Sequence, residues 1–331
     1  MDEPASPCPS CRRRLNARIT VTWCFEKRLD GEDLPVDNRP GRYHVHPMTL
    51  SRDERERIAV ILAEIACEAG EVLRAYHGGD CPHVIKPDGS PASLADHASE
   101  SLILAGLAKH WPGIPVVAEE TAHDRRPADL FFLVDPLDGT KDFLAGNADY
   151  SVNIGLIEGD RPVAAALAAP GLRRVWSAGV EAFEAPIAAG RPGSPRPISV
   201  RERPKDGLVA LVSRRHGDVE TEACLVGLAV GHRQTTSSAL KFCLIASGEA
   251  DIYVRCGPTM EWDTAAGDHV LTTAGGCVLV SSGERITYGH HALYYRNGPF
   301  AALGQPSYAG SLSLPARQRT ARPGPDLAAS T

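Results

Sequence analysis

Two segments of the chain gather carboxylates at places where a backbone turn can also hold an anion: Phe131-Phe-Leu-Val-Asp-Pro-Leu-Asp-Gly-Thr-Lys-Asp-Phe143 and Glu261-Trp-Asp-Thr-Ala-Ala-Gly267. In the first, Asp135 and Asp138 flank Pro136 and Leu137. Gly139 and Thr140 follow, with backbone N–H groups suited to a phosphate at a helix start. The second segment supplies Asp263, and Glu119 and Glu120 add two acids after the apolar run Ile114-Pro-Val-Val-Ala118. Oxygen ligands of this kind, with no convergent Cys/His set, suit a hard cation that keeps part of its water shell, which favours Mg²⁺ over Zn²⁺. Two such ions about 4 Å apart can clamp the attacking and leaving oxygens of an in-line phosphoryl displacement. One Asp at an element end is ordinarily a cap or a loop residue; the ordered set points to a metal-dependent phosphatase.

These residues need rigid elements if they are to meet. Phe131 to Val134 predicts a short buried strand that delivers Asp135 at its C-terminal end, where open α/β sheets place their ligands, with Pro136 and Gly139 ending it. Ser51-Arg-Asp-Glu54 is a capping box ahead of Ile58, Ile61, Leu62, Ile65, Ala69, Val72, Leu73 and Tyr76, a helical spacing. A second helix is expected with Leu94, Ala98, Leu102 and Ala105 on one face, Asp96 on its first turn facing the site, and Trp111-Pro-Gly113 as its stop. Tyr150 to Val180 reads as antiparallel or mixed sheet, and residues 186 to 206 as a surface loop or irregular edge. Asp263 opens an Ala-rich stretch that Gly275-Gly276 would terminate.

Composition sets limits on the rest. At 331 residues and 43% hydrophobic, the chain can bury a full α/β core, and it has no apolar run long enough to span a bilayer. A net charge of −6 with no basic stripe gives no support for binding a nucleic-acid polymer. Nine scattered Cys read as free thiols in a reducing cytoplasm. Residues 1 to 47 are too polar to fold alone and read as disordered or as a mis-assigned extension, with Met48 as a candidate start; residues 304 to 331 read as a disordered tail. Cys8-Pro-Ser-Cys11 lacks the second close pair that a zinc ribbon needs, even with Cys24 and His44 or His46 in reach.

With these blocks in place, the chain resembles the lithium-sensitive, magnesium-dependent phosphatases of the inositol monophosphatase superfamily. Lys86-Pro-Asp-Gly-Ser-Pro-Ala-Ser-Leu-Ala-Asp96, Ala118-Glu-Glu120, Asp135-Pro-Leu-Asp-Gly-Thr-Lys141 and Trp262-Asp-Thr-Ala-Ala-Gly267 carry the resemblance, which covers roughly residues 50 to 302. Leu137-Asp-Gly-Thr-Lys-x-Phe143, Thr235-Thr-Ser-Ser-Ala-Leu-Lys-Phe-Cys243 and Ala250-Asp-Ile-Tyr-Val-Arg255 point to the 3′(2′),5′-bisphosphate nucleotidase branch. Ala92 and Ser93 depart from the usual Val and Thr. The resemblance implies an α/β fold, a layered αβαβα sandwich of mixed sheets and helices over residues 48 to 303, with a metal-binding part to about 185 and a nucleotide-facing part after it.

The resemblance also implies roles. Glu119, Asp135 and the Leu137 carbonyl would hold one Mg²⁺, and Asp135, Asp138 and Asp263 a second. Asp96 would bind a third, weaker ion or orient the attacking water together with Thr140, and the Gly139 and Thr140 N–H groups would carry the scissile phosphate. Glu120 is left between a supporting and a structural role. Ser238, Lys241 and Arg255 would surround the remaining phosphate and ribose, with His216 of Ser213-Arg-Arg-His216 nearby. A second phosphate needs such cations, because the metals face only one. The implied reaction is hydrolysis of 3′-phosphoadenosine 5′-phosphate, and of its sulfated analogue as a second substrate, in sulfur assimilation. An inositol or sugar phosphatase on the same scaffold and a non-catalytic nucleotide sensor are the alternatives. No stable protein partner is implied, and the expected location is the cytoplasm, with peripheral contact at the inner membrane left open.

Overall fold

The computed structural model describes residues 50–316 except 80, 87, 88, 125, 215, 216 and 238, and except the side chains of 122–124. The readings of residues 1 to 47, of Cys8, Cys11 and Cys24, and of Ser238 and His216 lie outside the described residues.

Among the described residues the first element is α1 (Arg52–Tyr76), where Ser51 and Glu54 form the capping box reciprocally. A small hairpin of β1 (His83–Ile85) and β2 (Pro91–Ser93) leads into α2 (Leu94–His110). Then come β3 (Val116–Ala118), β4 (Leu130–Asp138) and the short α3 (Thr140–Leu144). A meander follows: β5 (Ser151–Glu158), β6 (Arg161–Ala169), β7 (Arg174–Ala178) and β8 (Ala182–Ala188). The 186–206 stretch, expected as loop or irregular edge, keeps that character but contributes the end of β8 and two short edge strands, β9 (Arg191–Pro192) and β10 (Arg196–Pro197). The second half holds β11 (Leu208–Ser213), α4 (Val219–Val226), β12 (Val230–Thr236), α5 (Leu240–Ala246) and β13 (Ile252–Arg255). It ends with α6 (Ala265–Thr273), β14 (Cys277–Val280) and β15 (Phe300–Leu303).

The large sheet runs β10-β8-β7-β6-β5-β4-β3 with β9 beside β8, and it is antiparallel apart from the parallel pair β3/β4. The smaller sheet runs β12-β11-β13-β15-β14 and is mixed. Strand β4 shows why the layers form: Phe131 and Leu133 join one apolar cluster while Phe132 and Val134 join another. A strand buried on both faces reads as a continuous apolar run, and period-2 alternation sends its neighbours to opposite sides. Strands β13 and β15 do the same, with Tyr253 and Phe300 on one side and Ile252, Val254, Ala301 and Leu303 on the other. The layers are therefore α1 and α2, the large sheet, α5 and α6, the small sheet, and α4, which is the expected αβαβα sandwich.

Two expectations are corrected. Helix α2 buries Ala95, Asp96, Ser99, Glu100, Ile103 and Leu107, one position round from the predicted Leu94, Ala98, Leu102 and Ala105, and Leu94 is exposed. The inward face carries three polar residues, Asp96, Ser99 and Glu100, which reach Thr140, the Pro136 carbonyl and the Glu120 N–H, so an apolar stripe alone does not mark it. The tail boundary at 303 also lies too early. Pro306–Ser311 forms a 3₁₀ turn, Tyr308 is buried, and Leu312 and Leu314 pack on the outer cluster of the small sheet.

Candidate active site

Strand β4 does not stop at Pro136. Its pairing with β5 passes from Asp135↔Asn153 to Asp138↔Ser151, so Pro136 and Leu137 form a bulge opposite Val152. A bulge accommodates a residue without an N–H and re-aims the side chains beyond it. Asp135, next in the alternation after Val134, falls on the side of α5 and α6. The bulge returns Asp138 to the same pocket, and Gly139 turns the chain into α3 with φ 90° and ψ 30°, a left-handed conformation that a Cβ disfavours.

Three of the candidate aspartates are anchored through one oxygen by a backbone N–H, two of them from the same turn and Asp138 from a loop 101 positions on. The Leu137 N–H donates to Asp135 Oδ1 at 3.0 Å, the Ala239 N–H to Asp138 Oδ2 at 2.6 Å and the Met260 N–H to Asp263 Oδ2 at 2.8 Å. Asp96 caps α2, its Oδ2 accepting from the Ser93 N–H and hydroxyl, while its Oδ1 lies 3.3 Å from the Thr140 hydroxyl. That hydroxyl also donates to the Leu137 carbonyl at 3.1 Å. The cap reading and the ligand reading thus describe the same residues: the cap sets the direction in which the acid points.

Glu119, Asp135, Leu137, Asp138, Gly139, Thr140 and Asp263 line one cavity of about 290 Å³ together with Lys241 and Arg255. Burial drives the Asp135 carboxyl well above its ordinary range, and Glu119, Asp138 and Asp263 add to the shift. Asp263 moves the same way, by burial first and then by Asp138. Clustered acids without a cation behave in this manner, and a dication would reverse it. Among the described residues no three acidic, His or Cys side chains already stand in a closed metal cage. The donor set nonetheless fits a hard cation, being all oxygen and mutually repelling.

One cation of the chain itself stands among these acids. Lys86 Nζ lies 2.9 Å from Glu119 and 2.6 Å from Glu120. Burial works against its charge, but the two glutamates outweigh burial and raise its pKa. Lys86 sits in a block quoted from the sequence without being given a role. Its hairpin carries it 33 positions along the chain to Glu119, a pairing with no local signal.

The same lining also carries two cations. Lys241 is 2% exposed with its ammonium 4.8 Å from the centre of the Tyr253 ring, and burial lowers its pKa to about 8. Arg255 is 7% exposed, its guanidinium donating to the Gly257 and Pro258 carbonyls at 3.3 and 3.1 Å. The cavity therefore brings together every candidate site residue except Asp96, which touches it through Thr140, and the two that lie outside the described residues.

The sequence profile of the Inositol monophosphatase family matches residues 54–311. The chain belongs to the inositol monophosphatase family. The 3′(2′),5′-bisphosphate nucleotidase CysQ of Escherichia coli K12, a similar protein, is 37% identical over 235 residues, which is 69% of this chain and 92% of that protein. The corresponding CysQ of Buchnera aphidicola is 34% identical, over 69% of this chain and 86% of its own. Among solved inositol monophosphatase-family structures, CysQ of Bacteroides thetaiotaomicron superposes with a TM-score of 0.64 at 28% identity, covering 75% of this chain and 97% of that one. An IMPase of Thermotoga maritima shares the fold, with a TM-score of 0.62 at 20% identity over 78% and 94%. Phosphatases of the inositol monophosphatase family are generally metal-dependent. No helix among the described residues is long and apolar enough to cross a membrane.

Proposed function

We propose that the protein is a magnesium-dependent phosphatase that hydrolyses the 3′-phosphate of 3′-phosphoadenosine 5′-phosphate, giving AMP and phosphate, with the 3′-phosphoadenylyl sulfate analogue as a second substrate. One observation carries the reading: a single cavity is lined both by a set of acids and by two buried cations, Lys241 and Arg255. A ligand that satisfies both sets carries one phosphate for a metal held by the acids and a second for the cations. The curated relatives named above, matched over most of their length, support the same substrate class.

In this reading Glu119, Asp135, Asp138, Asp263 and the Leu137 carbonyl would hold two to three Mg²⁺, which would supply charge neutralisation for the carboxylates and the transferring phosphoryl group. Gly139 and Thr140 hold the scissile phosphate through backbone N–H groups. Thr140 and Asp96 orient the attacking water. Asp96 Oδ1 lies 3.3 Å from the Thr140 hydroxyl, which places it to receive a proton through that hydroxyl as the water adds to phosphorus. Lys241 and Arg255 hold the phosphate that stays. Phosphate release measured with Mg²⁺ across nucleoside bisphosphates, nucleoside monophosphates and inositol phosphates tests the reading; faster turnover of an inositol phosphate would replace it with the sugar-phosphatase alternative.

A further inference from the structure

Asp142 lies outside the acids assigned above, yet it is 4% exposed and faces the other half of the molecule. Its Oδ2 accepts from the Ser237 hydroxyl and its Oδ1 from the Asn147 side-chain amide at 2.9 Å. The Asn147 N–H returns to the Asp142 carbonyl at 2.9 Å, which closes the turn after α3. Ser237 is buried as well. Two positions on, the Ala239 N–H donates to Asp138 at 2.6 Å. The loop between β12 and α5 therefore grips the phosphate turn at two carboxylates four positions apart, one turn of helix. From that loop α5 starts, and its second residue is Lys241. In so buried a place the Ser237 hydroxyl needs an acceptor and Asp142 Oδ2 a donor, since a polar atom that loses its partner keeps its desolvation cost.

We propose that Asp142 and Ser237 form a clasp that holds the Ala239 N–H against Asp138 and sets Lys241 relative to the phosphate turn. Asp142 is then a positioning residue through which metal affinity and selection of a second phosphate are coupled. The inference rests on the reading of Asp138 and Lys241 given above.

The test titrates Mg²⁺ alone calorimetrically into the full-length metal-free protein, alongside kinetics on a nucleoside 3′,5′-bisphosphate and a nucleoside 3′-monophosphate. Asp142→Ala should weaken Mg²⁺ binding about tenfold, the scale of one buried hydrogen bond lost to a charged partner. It should also lower kcat on both substrates and raise KM more for the bisphosphate. Ser237→Ala should follow it. Asp142→Asn, whose amide oxygen still accepts from the Ser237 hydroxyl once the Asn147 side-chain amide turns its own oxygen toward the new NH2, should recover most of each loss. If Asp142→Ala does not fold, Ser237→Ala carries the same comparison. Unchanged Mg²⁺ affinity in Ser237→Ala overturns the clasp, and so does Asp142→Asn behaving as badly as Asp142→Ala, which would make the charge itself the role. If the parent turns over no nucleoside bisphosphate while the Mg²⁺ affinities shift as stated, the substrate reading fails and the clasp stands.

Discussion

Gly267 sits in α6 four residues after Asp263, and the reason it is glycine can be put to a quantitative test. A Cβ built there would lie 2.6 Å from Phe242 Cδ2, 2.7 Å from Cγ and 2.8 Å from Cβ. Carbon atoms need roughly 3.5 Å, so α5 and α6 would have to separate by about 1 Å. Phe242 cannot swing clear, because its Cβ and Cγ are themselves in the way and its ring is fixed edge-on to Tyr253 and stacked on Phe300. Replacing Gly by Ala within a helix gains about 1 kcal/mol, whereas overpacking a tight core costs about 1–3 kcal/mol. The net expectation for Gly267→Ala is a loss of up to about 2 kcal/mol, or several degrees in Tm. The larger effect falls on function, since Lys241 precedes Phe242 in α5. A displacement of about 1 Å at a site can cost up to a hundredfold in rate. Gly70→Ala is the control: its Cβ would meet Pro170 Cγ at 2.5 Å, where α1 packs on the turn after β6, away from the cavity. Thermal melting with phosphate-release kinetics should show both variants destabilised and only Gly267→Ala losing kcat/KM. Gly267→Ala with parental kcat/KM and an unchanged or raised Tm would refute the argument that this glycine sets the α5–α6 spacing.

Asp138→Asn or Asp263→Asn should lower kcat by orders of magnitude while raising the melting temperature of the metal-free protein, since each removes one of a set of mutually repelling carboxylates; near-parental turnover at ordinary Mg²⁺ would remove them from the ligand set. Lys241→Ala and Arg255→Ala should each cost about 1.5–3 kcal/mol in kcat/KM for a nucleoside bisphosphate, roughly ten- to a hundredfold, and far less for a monophosphate. Equal losses on both substrates would make these residues structural. Asp268, buried behind the site and raised by burial from 3.8 to about 6, favours its protonated form in the folded state, so its contribution to stability is full below 3.8 and is lost as pH rises through 6. Asp268→Asn should therefore be more stable relative to the parent at pH 7 than at pH 4, by about 2–3 kcal/mol. Urea midpoints at the two pH values check this, and a difference that does not change with pH would show that Asp268 is not shifted.

Some of this was legible before any coordinates. The both-faced run at Phe131 to Val134, the capping box at Ser51 and the acids at element ends each follow from local physics, and they lie where that physics puts them. What failed did so for nameable reasons. The inward face of α2 carries polar residues that reach Thr140, the Pro136 carbonyl and the Glu120 N–H, so apolar periodicity pointed one position away. Pro136 read as a stop, but a bulge absorbs its missing donor and the strand runs on to Asp138. Tyr308, Leu312 and Leu314 are spread through a Ser-, Gly- and Pro-rich stretch without helix or strand period, too little signal to mark an ordered turn. Lys86 with Glu119 and Asp142 with Ser237 join residues 33 and 95 positions apart, and only the folded chain brings such pairs together.

The middle apolar cluster has a consequence for how substrate gets in. It runs without a break from Leu133, Ile157 and Trp176 of the large sheet through α5 and α6 to Leu211, Tyr253 and Phe300 of the small one. Proteins that swallow their ligands by swinging two lobes together do so across seams that are thin and wet. Here the seam is core, and parting it would expose the same apolar surface that holds the fold together. The cavity must therefore admit its ligand as a socket does, already at its working dimensions. Under the proposed reading, discrimination among phosphate esters then rests on how acids and cations are arranged along one lining, and a ligand that does not match that arrangement cannot draw the surrounding core to itself.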